Sequence, residues 1–249
     1  MIDDFGVAVS GLDGAVAVVT GGRRGIGRAI ALALHAQGAK VAVLDRDDPT
    51  LDPPPGADDR SWQFVRCDVS DEGAVDDAFS TVERSWGTVT VLVNNAGILH
   101  SNAITETTLE IWNQTLMVNV TGAFLCARRV LPGMERQGYG RVLTIGSSAG
   151  KTGGYKHLAA YAASKAAVMS LARSIATEYA GAGITSNAIA PAAIDTEMIA
   201  GLTGFADRIP VGRLGTPSDV AAAAIFLCSK AAGFVTAEVM DVNGGFLID

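Results

Sequence analysis

The 249-residue chain has little positive charge: 19 lysines and arginines stand against 26 aspartates and glutamates, for a net charge of −7. A chain of this balance has no basic footprint for nucleic acid and no cationic patch for anionic membranes. Long apolar runs are missing as well. The longest, Val220 to Cys228, falls well short of the ~20 residues a membrane helix needs. No basic residue precedes Arg23, and Asp3 and Asp4 are the wrong start for a secretory signal. Cysteines number three (Cys67, Cys126, Cys228), far apart and without a CxxC, so they read as buried free thiols in a reducing compartment. A cytoplasmic location is therefore expected. Only three histidines occur, and no His/Cys/Asp group has metal-ligand spacing, so no metal is expected. Glycine plus proline (29 and 8 residues) make up about 15% of the chain, below the ~25–30% of low-complexity sequence.

What the chain does have is glycine, about 12% against a usual ~7%, set in a sequence that is 49% hydrophobic. The hydrophobic pattern alternates short valine-rich runs with helical periodicity. Strands are expected at 15–20, 40–44, 63–66, 89–93, 141–145, 184–189 and 239–242. Helices are expected at 26–37, 71–86, 109–137 (with a break near Pro132), 159–179 and 217–229, the last capped by Thr216 with Pro217 at its first position. Near-continuous apolar strands are those of a parallel sheet covered on both faces. Strand and helix alternate throughout, with no linker or repeat, which predicts one doubly wound α/β domain.

The first strand ends in Thr20-Gly21-Gly22-Arg23-Arg24-Gly25-Ile26-Gly27 and a helix follows. A strand, a tight glycine turn and a helix N-terminus together make a site for a dinucleotide's pyrophosphate, because the helix end presents unpaired N–H groups. The spacing is Gly-x3-Gly-x-Gly rather than Gly-x-Gly-x2-Gly, and a tight turn with no ligand has the same look. Asp45 ends the second strand, where a carboxylate would accept from the ribose hydroxyls and repel the extra phosphate of NADP. NAD is the expected cofactor; Arg24 and Arg46 nearby keep NADP as the lesser alternative.

Tyr161 and Lys165 lie at i and i+4 on one helix face. An ammonium beside a phenol favours the phenolate, which makes tyrosine a usable acid and base. Ser147-Ser148, after the fifth strand, offers a hydroxyl that could polarise a carbonyl.

With these residues the sequence resembles the short-chain dehydrogenase/reductase family, in its short soluble form, from about Leu12 to the C-terminus. The resemblance is carried by TGGRRGIG (20–27), CDV (67–69), NNAG (94–97), VN (118–119), YAASK (161–165) and NAIAPAAIDT (187–196), with RLGTPSDVA (213–221) and DVNGG (241–245). It implies a single Rossmann-type domain with a seven-stranded, mainly parallel sheet, and interconversion of a secondary alcohol and a ketone. Tyr161 would move the proton. Ser148, by its offset, would hold the carbonyl oxygen. Lys165 would lower the tyrosine pKa and hold the nicotinamide ribose, and Asn119 would support a proton relay. Gly21, Arg23, Arg24, Gly25, Ile26, Gly27, Asp45 and Arg46 would line the phosphate and ribose end. Asp68, Val69, Asn95, Ala96 and Gly97 would take the adenosine, and Pro191, Ile194 and Thr196 the nicotinamide. One departure stands out: the family usually has glycine where this chain has Ala192.

The resemblance also implies a lid at 197–213, with Gly153–Leu158 as the opposite wall, and a homotetramer, with a dimer as second choice. Met198, Ile199, Leu202 and Phe205 give the lid an apolar side and few charges, which suits a small or medium, largely neutral substrate. A 3-oxoacyl thioester, a sugar or polyol, and a cyclic alcohol all remain open. The alternatives are a non-catalytic nucleotide-binding module, or epimerisation or dehydration on the same scaffold. His100 and His157 could touch substrate; His35 reads as packing.

Overall fold

β1 (Val16–Thr20) is buried along its whole length and shows why the sheet needs two covers. Its side chains alternate: Ala17 and Val19 enter one apolar cluster, Val16 and Val18 the other. β2 (Lys40–Asp45) and β4 (Val91–Asn94) divide in the same way. On one side the cover is α1 (Gly25–Ala36), through Ile30, Ala31 and Leu34, with α7 (Pro217–Cys228), through Val220, Ala224 and Leu227. On the other side lie α2 (Glu72–Trp86), α4 (Gly122–Gln137) and α6 (Ala159–Tyr179), which contribute Phe79, Met134 and Ile175 among others. These statements come from a computed structural model, which describes residues 11–48, 53–199 and 206–248.

The remaining strands are β3 (Trp62–Arg66), β5 (Gly140–Ile145), β6 (Ile184–Pro191) and β7 (Val239–Val242). All seven form one parallel sheet in the order β3-β2-β1-β4-β5-β6-β7. The order reverses between β1 and β4, which opens a crevice at their C-terminal ends. The glycine turn leaves β1 at this crevice and the NNAG segment leaves β4 there. The expected Rossmann-type α/β domain is therefore the observed one, and every expected strand is present within a few residues.

The expected long helix at 109–137 differs in one respect. The interruption is not at Pro132, which sits inside α4. It is a π-helical segment, Met117–Thr121, between α3 (Leu109–Leu116) and α4. Buried Val130, Leu131 and Met134 hold the proline turn against the sheet, so packing outweighs the ring's intrinsic cost. The π segment turns Asn119 inward to 2% exposure. A short helix, α5 (Ser148–Thr152), also follows β5 where a loop was expected.

Candidate active site

The glycine turn is built by close approach. Gly21 and Gly25 take positive φ (62° and 56°), which other residues resist. Gly27 has ordinary φ but no room: an added Cβ would lie 2.3 Å from Asn95 Nδ2 and 2.4 Å from the Gly21 carbonyl oxygen. Asn95 is the reason. Its Nδ2 donates to the carbonyls of Thr20 and Gly21, both at 2.9 Å, which staples the end of β4 to the turn. Thr20 Oγ1 completes the lock by accepting from the Asn95 and Ala96 amides at 3.0 and 3.1 Å.

The N-terminus of α1 is also open, unlike those of α2, α3 and α7. α2, α3 and α7 are capped by the side chains of Asp71, Thr108 and Thr216. α1 has Arg24 at its cap with no side-chain acceptor, and no acidic residue in its first turn. Its end N–H groups are left to an anion from outside the chain. This cradle fits a dinucleotide's pyrophosphate.

At the end of β2 the Asp45 carboxylate accepts from the Arg23 amide (3.2 Å) and the Asp47 amide (3.3 Å), so its direction is fixed by backbone. The nearby arginines turn elsewhere. Arg24 pairs with Glu197 at 2.5 Å, Arg46 meets Asp47 at 3.4 Å, and the Arg23 guanidinium meets the Asp48 carbonyl. Asp68 accepts from both the amide and the hydroxyl of Ser70. Burial pushes its carboxyl up, but these bonds outweigh it and hold the group below its usual range.

Tyr161 and Lys165 meet in a cavity of about 510 Å³ whose lining also includes Ile26, Asn95, Gly97, Ser147, Ser148, Pro191, Ile194 and Thr196. Lys165 Nζ donates to the Ile145 carbonyl at 2.7 Å and stands 5.7 Å from the centre of the Tyr161 ring. Burial dominates both groups: it pulls the lysine down to about 8 and pushes the tyrosine above its ordinary value. Desolvation penalises both charged forms, so the Tyr161 phenol stands above its ordinary value with Lys165 beside it.

Ser147 and the expected Ser148 both line the cavity with Tyr161, and Ser147 hydrogen-bonds the phenol. Ser147 Oγ also caps α5 by accepting from the Ala149 amide at 3.1 Å. With that lone pair engaged, its proton is available to the phenol oxygen, and the bond works against the upward push on Tyr161. Ser148 is buried in the first turn of α5, and its carbonyl takes the Thr152 hydroxyl. Gly153 and Gly154, between α5 and α6, are both left-handed (φ 84° and 81°).

The Asn119 side chain is fully engaged. Oδ1 accepts from the Ile98 amide (2.8 Å), while Nδ2 donates to the Ile98 carbonyl (3.0 Å) and to Ser164 Oγ (2.9 Å). It therefore ties the β4 loop to α6. Ala192 is half-buried on the cavity wall and is not among the described residues with positive φ, so the methyl causes no backbone strain.

Of the segment expected as a lid, Met198, Arg208 and Ile209 line the cavity. Leu202 and Phe205 lie outside the described residues, as do Gly201 and Gly204. Neither His100 nor His157 lines the cavity. His35 packs edge-on against Trp62, and all three cysteines are buried free thiols. Among the described residues, no group of three His, Cys, Asp or Glu side chains is placed to hold a metal, and no helix is long and apolar enough to cross a membrane.

Sequence and structure comparisons agree with this geometry. A family model described as Enoyl-(Acyl carrier protein) reductase matches residues 21–247. The chain is 43% identical over 233 residues to the 3-oxoacyl-[acyl-carrier-protein] reductase MabA of Mycobacterium tuberculosis, covering 92% of this chain and 91% of that protein. It is 42% identical over 219 residues to the Inactive 2-(S)-hydroxypropyl-CoM dehydrogenase 2 of Xanthobacter autotrophicus, covering 84% and 95%. The crystal structure of 3-ketoacyl-(acyl-carrier-protein) reductase from Brucella melitensis complexed with NADH superposes with a TM-score of 0.91 at 34% identity, over 96% of this chain and all of that one.

Proposed function

The chain belongs to the short-chain dehydrogenase/reductase family, and on that premise we propose that it is an NAD(P)-dependent oxidoreductase interconverting a secondary alcohol and a ketone. A 3-oxoacyl thioester is the substrate class its relatives' names favour. The observation that carries the reading is the meeting of Tyr161, Ser147 and Lys165 in one cavity with the residues beside the glycine turn.

The dinucleotide supplies or accepts the hydride when bound. The chain's own residues hold and move the proton. In reduction, the Tyr161 hydroxyl donates to the carbonyl oxygen; burial keeps that phenol protonated near neutral pH, as the direction requires. Ser147 donates to the same oxygen. Lys165, charged below about pH 8, stabilises the phenolate left behind. Asn119 is a positioning residue that keeps Ser164, and with it α6, in register with the β4 loop.

The same residues would hold the cofactor as follows. The α1 N-terminus and Gly21, Gly25 and Gly27 take the pyrophosphate. Asp45 accepts from the adenosine ribose hydroxyls. Asp68 and Val69 line the adenine, Asn95, Ala96 and Gly97 the floor, and Pro191, Ile194 and Thr196 the nicotinamide end. The backbone-fixed Asp45, with its arginine neighbours engaged elsewhere, favours NAD over NADP. Residues 197–213 act as the lid. A cytoplasmic homotetramer is the assembly favoured, with exposed Leu109 on α3 and Phe124 on α4 as a face a second copy could cover.

The test follows reduced-nicotinamide absorbance across a panel of ketones and alcohols, with NAD(H) and NADP(H) in parallel. Turnover of a 3-oxoacyl thioester or a related ketone, faster with NADH, is expected. Tight NADH binding without turnover of any ketone or alcohol would instead support a non-catalytic nucleotide-binding module. That second reading has one motive, the similarity to a relative named inactive.

A further inference from the structure

The cavity's described lining contains no carboxylate and two cations, Lys165 and Arg208. Lys165 is buried beside Tyr161. Arg208 is exposed yet lines the cavity, which puts it at the opening. Several arginines on this acidic protein are neutralised: Arg24, Arg46, Arg60, Arg128, Arg129 and Arg213 each meet a carboxylate. Arg208 has no ion pair among the described residues. Two aromatic rings hold it instead, with its guanidinium carbon 5.1 Å from the centre of Tyr155 and 5.5 Å from the centre of Phe246.

A guanidinium over a ring face gives up none of its N–H donors to an acceptor, so they remain for another partner. Those donors match an oxyanion. The anion is not the dinucleotide's own. Its phosphates belong at the turn after β1, whereas Phe246 follows β7, and β4, β5 and β6 lie between those strands. At ~4.8 Å per strand the two ends of the crevice stand roughly 19 Å apart.

We propose that Arg208 is a specificity-determining residue that binds one oxyanion carried by the substrate, a carboxylate or a phosphate ester, at the substrate end of the cavity. The inference rests on the alcohol–ketone reading above and narrows the largely neutral substrate suggested by the few lid charges. No new bond forms at this site; the residue orients the ketone and selects among ketones.

The test compares matched pairs on wild type, Arg208→Gln and Arg208→Lys. One arm takes 3-, 4- and 5-oxo carboxylic acids against their methyl esters. The other takes 3-oxobutyryl-coenzyme A, which carries phosphate, against the neutral N-acetylcysteamine thioester. Calorimetric binding of each compound to the NADH-loaded enzyme is measured alongside kcat/KM. In at least one arm, wild type should favour the charged member. Arg208→Gln should collapse that preference about tenfold or more, mainly through KM, and Arg208→Lys should recover part of it. The arm that responds identifies the anion as carboxylate or phosphate. A charged-to-neutral ratio unchanged by Arg208→Gln in both arms overturns the proposal and leaves the reductase reading intact. Arg208-dependent binding of an anionic compound without turnover of any ketone supports the anion site and overturns the reductase reading instead.

Discussion

The two ends of the cavity are built from different materials. The proposed cofactor end is backbone held by short polar side chains: Asn95 bridges two carbonyls of the glycine turn, Thr20 takes two amides, and Asp45 is fixed by two more. The proposed substrate end is built of side chains, with Met198, Ile209 and Leu158 on the wall and Arg208 beside the rings of Tyr155 and Phe246. Backbone contact at van der Waals distance tolerates few residues, so it leaves glycines and an asparagine at fixed places. Side-chain walls can be refilled in many ways. On the proposed function, one end would carry the reaction class and the other the choice of substrate.

Tyr161 stands where the ends meet, and the largest effect is expected there. Tyr161→Phe keeps the ring and its packing but removes the proton. Turnover should fall about 10²–10⁴-fold, while NADH binding, followed by fluorescence, stays close to wild type. A variant that retains most of its activity would remove Tyr161 from the proton transfer and dissolve the meeting point.

Gly27→Ala probes the backbone end directly. The new methyl would have to displace Asn95 and the Gly21 carbonyl. Overpacking of this kind costs about 1–3 kcal/mol, which should appear as roughly a 10- to 100-fold weaker NADH Kd. Unchanged affinity would mean that the staple is not what shapes the cradle.

Asp45→Ala should have a smaller, directional effect. It removes a charged acceptor for the ribose hydroxyls and a repulsion against the 2′-phosphate. The ratio of kcat/KM with NADH to that with NADPH should fall about tenfold. If the ratio holds, discrimination lies with the arginines of the turn instead.

The same contrast explains what could be read before folding. Valine-rich runs and the alternation of period gave the seven strands, because burial on both faces leaves no other composition. Thr216 and Pro217 marked the start of α7, where a capping box with Asp219 now stands. The π segment at 117–121 left no such mark: its periodicity differs from an α-helix by one residue in one turn, while Pro132 drew attention to the wrong place. α5 is too short to show a period. Arg208 was visible only as one of four charges in the lid, since its two rings come from residues 155 and 246, which only the fold brings together.

The smallest effect tests whether the two ends are independent. Ala192 follows β6, where its amide donates to the Val242 carbonyl at 3.2 Å, and it lines the cavity. No positive φ requires glycine there. Ala192→Gly should therefore release the unfolded chain without relieving any strain in the native one, lowering stability by about 0.4–1 kcal/mol, or ~1–4 °C in Tm for a chain of this size. NADH affinity should move less than about twofold, because the methyl makes no contact that the backbone staple depends on. A gain in stability would show that the alanine is strained. A large change in cofactor affinity with substrate KM unaltered would show that the methyl belongs to the cofactor end, and the boundary between the two ends would then lie beyond β6.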